Sequence, residues 1–282
     1  MKIFQKKNDV KAYLAPAITT KQTIGFVPTM GALHQGHLSL VQRALSENDL
    51  VVVSIFVNPT QFNNAEDLEK YPRTLQADID KLESVSTNIL IYTPEAEDIY
   101  NGNISSDSFD FEGLDLVMEG ASRPGHFDGV GTIVKKLFEI VTPTNAYFGE
   151  KDYQQILIIK SMVRTTKLPV NIVPCPIVRE ANGLAMSSRN QRLSDEMKQK
   201  ASFIYQSLQE VQKLFQTEEI ASIQKWIKML YDTHSEFHLE YFNIAHSDTL
   251  QPVLQKKQGE KYHAFIVVHL QGVRLIDNIE LL

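Results

Sequence analysis

Ile24-Gly25-Phe26-Val27-Pro28-Thr29-Met30-Gly31-Ala32-Leu33-His34-Gln35-Gly36-His37 runs from an apolar tetrad through a glycine-bearing loop into two histidines. Beyond it, Leu38, Leu40, Val41, Ala44 and Leu45 recur at the spacing of one helix face. The stretch is therefore predicted as strand, loop and helix, the repeating unit of an α/β fold. Gly36 falls near the helix start, where free N–H groups and the positive end of the helix dipole attract phosphate. His34 and His37 flank that point. An HxGH stretch alone is equally well read as two surface histidines at a helix N-terminus.

The same alternation continues outward. Apolar runs at residues 24–27, 50–57, 89–92, 114–118, 146–148 and 170–173 read as strands separated by helix-like segments. That order predicts a parallel sheet covered by helices on both faces. The clearest helix is 128–141, where Val130, Ile133, Val134, Leu137, Phe138 and Val141 share one face. Ile133 and Val134 are therefore read as core. Open α/β sheets bind ligands beyond the carboxyl ends of their strands. HQGH (His34 to His37), NPTQF (Asn58 to Phe62) and GEKD (Gly149 to Asp152) each follow a predicted strand at that end.

Pro174-Cys175-Pro176 punctuates the chain, so residues 1–175 are expected to form a Rossmann-like domain and 176–282 a smaller α+β domain. In the latter, 195–215 and 218–231 read as helices and 237–245 as a strand. Residues 264–269 and 273–276 read as a hairpin turning at Gln271-Gly272. The 282-residue chain has a formal net charge of −6, which disfavours a broad basic surface for nucleic acid. The expected ligand is small. Cys175 is the single cysteine, which excludes an intrachain disulfide and a cysteine zinc cluster. The first residues lack the apolar core of a signal peptide, and no run approaches the roughly 18 apolar residues of a membrane span. A cytoplasmic, membrane-free protein is expected.

MSSRN (Met186 to Asn190) offers two hydroxyls, a guanidinium and several amides within five residues. Arg189 can grip phosphate bidentately. Paired with HQGH, it reads as the second half of an ATP site, carried by the C-terminal domain as a closing lid. The plainer alternative is a polar turn with Ser194 capping the next helix. In GEKD, Gly149 would let the backbone approach a nucleotide, Lys151 brings positive charge, and Asp152 can accept from ribose hydroxyls. An ordinary loop with Asp152 as helix cap is the alternative. His234, His238, His246, His263 and His269 show no ligand spacing and are read as surface or satisfied side chains.

FVNPTQF (Phe56 to Phe62), YPRT (Tyr71 to Thr74), EGASRPGHFDGV (Glu119 to Val130) and FGEKDYQQ (Phe148 to Gln155) join HQGH and MSSRN in one order. The set resembles the pantoate–β-alanine ligase family from about Gly25 to Leu193. Weaker similarity, such as EYFNIAHSDTL, extends into the C-terminal domain. The family is similar to the nucleotidyltransferases with HIGH and KMSKS signatures, and MSSRN departs from KMSKS by lacking its lysines.

The resemblance implies a two-step ligase. ATP and (R)-pantoate give pantoyl adenylate and pyrophosphate, and β-alanine then displaces AMP to form pantothenate. It implies that Met30, Gly31, Ala32, Leu33, His34, Gln35, Gly36 and His37 hold ATP, with Gly149, Glu150, Lys151, Asp152, Val178, Met186, Ser187, Ser188 and Arg189. His37 is implied as proton donor, and His34 and Lys151 as its catalytic companions. Gln61 is implied for pantoate and β-alanine, Gln155 for pantoate, and Asn58 for the substrate or adenylate. Val178 would serve adenine through its backbone. Mg²⁺ is implied by pyrophosphate departure, with no protein ligand identified. A homodimer is implied as well. The residues themselves leave the order of His34 and His37 open, and leave Arg73 and Arg123 between substrate and structural roles. Two rivals stand beside this reading: a nucleotidyltransferase moving AMP onto a phosphorylated cofactor, and a nucleotide-binding protein without turnover.

Overall fold

The structure, a computed structural model, describes every residue except Asn64 and Leu282. The chain forms two compact units, Met1–Pro176 and Ile177–Leu282. In the first, strands β1 (Lys2–Phe4), β2 (Ile24–Thr29), β3 (Leu50–Ile55), β4 (Ile89–Tyr92), β5 (Asn145–Gly149) and β6 (Asn171–Cys175) make one sheet. Its order is β1-β4-β3-β2-β5-β6, and every pair is parallel. The helices of this unit are α1 (Lys7–Thr19), α2 (Gln35–Glu47), α3 (Ala65–Glu69), α4 (Leu75–Val85), α5 (Ala96–Tyr100), α6 (Met118–Ser122), α7 (His126–Val141) and α8 (Tyr153–Thr166).

Central strand β2 explains the two-sided cover. Its residues are buried throughout, Pro28 only partly, because α2 lies on one face and α7 on the other. Val27, Val41, Ala44, Val51, Val53 and Tyr147 fill the α2 layer. On the far face, Phe26 meets Phe138 edge-on at 6.1 Å, and Phe138 meets Phe148 at 6.5 Å. Such edge-to-face contacts suit the ring quadrupoles. A strand buried on both sides must be apolar throughout rather than alternating, as residues 24–27 are.

One expected strand is absent. Residues 114–117 form turns and bends and Met118 opens α6, so the stretch is not extended; Leu114 and Met118 are buried but Leu116 is 73% exposed. Glu112, Gly113 and Met118 all take positive φ, which no strand accommodates. The carbonyls of Leu114 and Val117 are instead satisfied by Gln154 Nε2, at 2.7 and 2.9 Å. Strand β1 was not expected, since three residues carry no readable period. Helix α7 starts two residues ahead of its periodic stretch, after Gly125 in the left-handed region.

The second unit stacks α9 (Asp195–Lys200), α10 (Ser202–Thr217) and α11 (Ile220–Asp232) with the antiparallel sheet β7 (Phe237–His246), β8 (Tyr262–Leu270) and β9 (Val273–Leu281). Ile204, Leu208, Val211, Ile223, Ile266 and Val268 centre its core. Ser194 caps α9 by accepting the N–H of Met197. The expected single helix 195–215 divides at Ala201, where the N–H of Ile204 bonds three residues back. His263, expected to be satisfied or on the surface, is buried with Nδ1 3.0 Å from Ser247 Oγ.

Gly129 on α7 positions a later part of the site. A Cβ there would meet the carbonyl oxygen of Thr60 at 2.4 Å and Gln61 Cα at 2.9 Å. Alanine is favoured in helix interiors by about 0.5–1 kcal/mol. Here the obstacle is backbone, so Gly129→Ala should destabilise the first unit by about 1–3 kcal/mol, as overpacking does. Urea denaturation measures this, and a stability equal to or above the parent's would show that residues 59–61 yield without cost.

Candidate functional site

Strand β2 connects onward to β3 on one side, while neighbouring β5 connects to β6 on the other. The crevice between their carboxyl ends is therefore the topological switch point of the sheet. HQGH follows β2 and GEKD follows β5, so the fold brings these two segments to adjoining strand ends.

The loop after β2 is held from below by α4. Gly31 and Ala32 both take positive φ, 83° and 48°. The turn is fixed because its amides are all engaged inward. Gly31 N–H donates to Thr29 Oγ1, Ala32 N–H to Asp78 Oδ2 (2.9 Å), and Leu33 N–H to Asp78 Oδ1 (2.7 Å). Lys81, one turn along α4, donates to the carbonyl of Leu33 at 2.6 Å. Asp78 is fully buried, as are Ala32 and Leu33. The amides of residues 31–33 thus hold the loop. At the start of α2, His37 and Leu38 donate to the carbonyl of His34, and Gln35 and Gly36 stand in the first turn, where helix N–H groups face outward.

The imidazoles of His34 and His37 lie 4.0 Å apart, centroid to centroid. His37 Nδ1 accepts the backbone N–H of His34 at 3.3 Å, which leaves the ring proton on Nε2. His34 Nδ1 is buried without a partner among the described residues, as a group awaiting a ligand would be. Burial lowers the His34 pKa to about 4, helped by the Lys151 and Lys81 cations and opposed by Asp152. His37 is held well below its ordinary value by burial, then by His34, Lys151 and Lys81. Both rings are thus neutral near pH 7 and donate as imidazoles, not imidazoliums. An incoming polyphosphate reverses part of this shift by placing negative charge beside them. Lys151 lies 3.6 Å from Asp152, and open space adjoins Gly149 Cα.

A second cluster centres on Gln61, in the 3₁₀ turn Pro59–Gln61 after β3. Gln61 Nε2 donates to Met30 Sδ at 3.0 Å, a weak acceptor readily exchanged for a ligand oxygen. Its Oε1 accepts from Asn58 Nδ2 at 3.2 Å. Asn58 is 1% exposed, and its Oδ1 accepts from Tyr100 Oη at 2.6 Å, so in this structure it orients Gln61. The main chain is clamped too. His126 Nδ1 lies 2.7 Å from the carbonyl of Gln61, to which Arg123 also donates at 3.3 Å. Arg123 reaches His126 Nε2 at 3.2 Å. Burial, then Arg123, lowers His126 to about 4. A neutral ring with Nδ1–H on the carbonyl must accept from Arg123 at Nε2, which settles the tautomer.

His126 and Asp78 were passed over in the sequence. The signal for His126 lay in SRPGHF, whereas Asp78 carried none. Of the two adjacent glutamines on α8, Gln154 is buried and structural. Gln155 is half-buried, and its side chain makes no hydrogen bond among the described residues. Arg73 is exposed, and Ile133 and Val134 are core. The remaining expected residues lie in the second unit. There Met186 N–H donates to the carbonyl of Val178 at 3.0 Å, joining the ends of a short hairpin. Ser187 accepts from Arg189 N–H and caps a 3₁₀ turn, Ser188–Arg192. Ser188 is buried, and Asn190 Nδ2 ties the turn to Glu180 and to the carbonyl of Ala185. Among the described residues no three His, Cys, Asp or Glu side chains converge on a cation position.

A family model described as pantoate-beta-alanine ligase matches residues 2–280. The pantothenate synthetase of Flavobacterium psychrophilum is 56% identical over 281 residues, covering 100% of this chain and 100% of that protein. That of Christiangramia forsetii is 51% identical, covering 100% of this chain and 99% of its own. Among solved structures, a pantothenate synthetase from Thermus thermophilus superposes with a TM-score of 0.90 at 39% identity, covering 100% of this chain and 99% of that one. A pantoate-beta-alanine ligase from Francisella tularensis, complexed with beta-gamma ATP and beta-alanine, gives 0.78 at 37% identity, covering 99% and 97%.

The neutral histidines carry a stability signature. His126 and His263 keep folded pKa values of about 4, below the roughly 6.5 of an unfolded histidine. Between those values the unfolded chain binds protons that the folded protein does not. Their contribution is complete above about pH 6.5 and is lost as pH falls toward 4. The urea midpoint should drop across that window. At about pH 5, His126→Asn should take up about one proton fewer on unfolding than the parent. Equal proton uptake by the two proteins would mean that His126 is charged when folded.

Proposed function

We propose, from the premise that this chain belongs to the pantoate–β-alanine ligase family, that the crevice beyond β2 and β5 condenses (R)-pantoate with β-alanine at a pantoyl-adenylate stage. The observation that carries this reading is the contact between Gln61 and Met30. It joins a carboxylate- and hydroxyl-recognising amide to the loop that leads into the two histidines.

In the first step a pantoate carboxylate oxygen attacks the α-phosphorus of ATP and pyrophosphate leaves. Negative charge grows on phosphorus-bound oxygens, and donors fixed in advance stabilise it without reorganising. His37 Nε2–H, His34, Lys151 and the first-turn amides of Gln35 and Gly36 are proposed for that task. Gln61 and Gln155 are proposed to hold pantoate. Neutral amides recognise its hydroxyls and carboxylate without locking the nucleophile in an ion pair. In the second step the neutral amine of β-alanine attacks the acyl carbon, AMP departs with the C–O electron pair, and the amine sheds a proton. Gln61 is proposed to orient that amine. Ser187, Ser188 and Arg189 are proposed as phosphate ligands and Val178 as an adenine contact. A Mg²⁺ ion would ride on triphosphate oxygens, since that donor set is oxygen-rich and charged.

A homodimer and a cytoplasmic location belong to the same reading. Sedimentation and cell fractionation measure them. No helix among the described residues is long and apolar enough to cross a membrane.

Pantoate-dependent exchange of pyrophosphate into ATP tests the first step directly. His37→Ala and Lys151→Ala should each lower it by roughly 10²–10³, the worth of one preorganised donor. Exchange at the parental rate in both would remove the phosphate role. Exchange that ignores pantoate would favour a nucleotidyltransferase instead.

Gln61→Ala and Gln155→Ala should raise the KM for pantoate much more than that for ATP, by about five- to a hundredfold, as a ligand oxygen loses its partner. Equal losses for the two substrates would make these glutamines structural.

A further inference from the structure

The hairpin between Val178 and Met186 is held at its turn by one guanidinium and one amide side chain. Arg179 reaches across the second unit to β9, where Nη1 donates to Asp277 Oδ2 at 2.6 Å and Nη2 to Oδ1 at 3.0 Å. Nη1 also donates to the carbonyl of Gly183 at 3.1 Å, on the turn of the same hairpin. The guanidinium plane stacks on Tyr205 of α10, 3.5 Å from the ring centroid. Tyr205 also fills the space beside Gly183, whose φ is +95° and where a Cβ would sit 3.0 Å from the ring. Within the hairpin, Arg179 bridges Ala185, and Glu180 N–H donates to the carbonyl of Leu184 at 2.8 Å. Asn182 ties the turn to Lys198 of α9. The side chains of Arg179 and Asp277 are 16% and 3% exposed.

We propose that Arg179 is a positioning residue for ATP: clamped between Asp277 and Tyr205, it fixes the hairpin whose ends carry Val178 and Met186 and so sets where Ser187 to Arg189 stand. The inference rests on the reading that this segment contacts the nucleotide. Three properties of arginine are used together at one point. Its fork satisfies both oxygens of a buried carboxylate, its spare donor holds the turn, and its flat face lies on an aromatic ring. Lysine keeps the charge but can serve only one oxygen and cannot stack flat. Asp277 Oδ1 also accepts the N–H of Asn278 at 2.8 Å, so what lysine removes is the bidentate fork joined to the bond on the Gly183 carbonyl, and with it the hairpin's tie to β9.

The test is Arg179→Lys in the full chain, with Asp277→Asn as a second variant that keeps shape and removes charge. Steady-state kinetics should show the KM for ATP raised about tenfold while the KM for pantoate stays within twofold, a split that general loosening of the fold does not produce. Amide exchange across Gly183 to Arg189 should quicken in the ligand-free variant, and a non-hydrolysable ATP analogue should restore less protection than in the parent. Combined with Arg189→Ala, Arg179→Lys should cost less than it does alone, since both act through one segment. An ATP KM within twofold of the parent in both clamp variants, or, where Arg189→Ala itself raises that KM, losses that multiply independently, would overturn the proposal. Arg189→Ala alone separates the two readings. If it raises the ATP KM while the clamp variants do not, the clamp falls by itself. If it has no effect while Arg179→Lys does, the phosphate role of Arg189 falls and the clamp stands.

Discussion

Two backbone N–H groups ending on one buried carboxylate set the geometry of the first unit's site. Asp78 accepts the amides of Ala32 and Leu33, and Lys81 donates to the carbonyl of Leu33, so α4 grips Leu33 at both its N–H and its C=O. A loop with two successive positive φ values would otherwise relax, because a left-handed alanine costs about a kcal/mol or more. Charge-assisted hydrogen bonds offset that cost. Once the loop is held, α2 begins where it does, and His34 and His37 project from its first turn. The same buried carboxylate explains why the amides of residues 31–33 hold the fold while the first turn of α2 remains for a ligand.

The electrostatics follow from this placement. Two imidazoles 4.0 Å apart cannot both carry charge beside Lys151 and Lys81, and burial pushes in the same direction. Neutrality keeps Nε2 of His37 a donor without adding cationic repulsion to an already positive corner. The unpartnered Nδ1 of His34 and the thioether partner of Gln61 are weakly committed groups beside strongly committed ones. That contrast is the usual mark of a site built to receive something, since buried polar groups are otherwise satisfied. Behind Gln61, the Arg123–His126 pair and the Asn58–Tyr100 pair hold its main chain and its amide separately.

The second unit repeats the strategy with different parts. Its candidate phosphate ligands stand on a hairpin and a 3₁₀ turn, and part of the stiffness comes from side chains that this segment itself carries. Asn182 and Arg179 reach from the segment to α9 and β9, and Asn190 ties the turn back to Glu180 and Ala185 of the hairpin. Short loops carrying function on a rigid scaffold need such anchors, because their own backbone supplies little cooperativity.

Much of this was legible in residue order alone. Apolar strands alternating with amphipathic helices dictate a parallel sheet, because neither element can bury its apolar face unaided. The positions of HQGH, NPTQF and GEKD after strands 24–27, 50–57 and 146–148 placed them at the ligand-binding edge. Residues 114–118 misled because an apolar run shows which side chains seek burial and says nothing of who satisfies the carbonyls; Gln154, forty residues from Leu114, does that. The helix 195–215 was read through Ala201 because a tightened turn leaves the apolar period intact. Asp78, His126 and Arg179 show the deeper limit. Sequence by itself determined the class of fold, the strand ends that bear the chemistry and the polar groups available there. Only the tertiary structure decided which of those groups face a ligand and which hold others in place, because a hydrogen bond is fixed by distance and direction between atoms that the chain order leaves far apart.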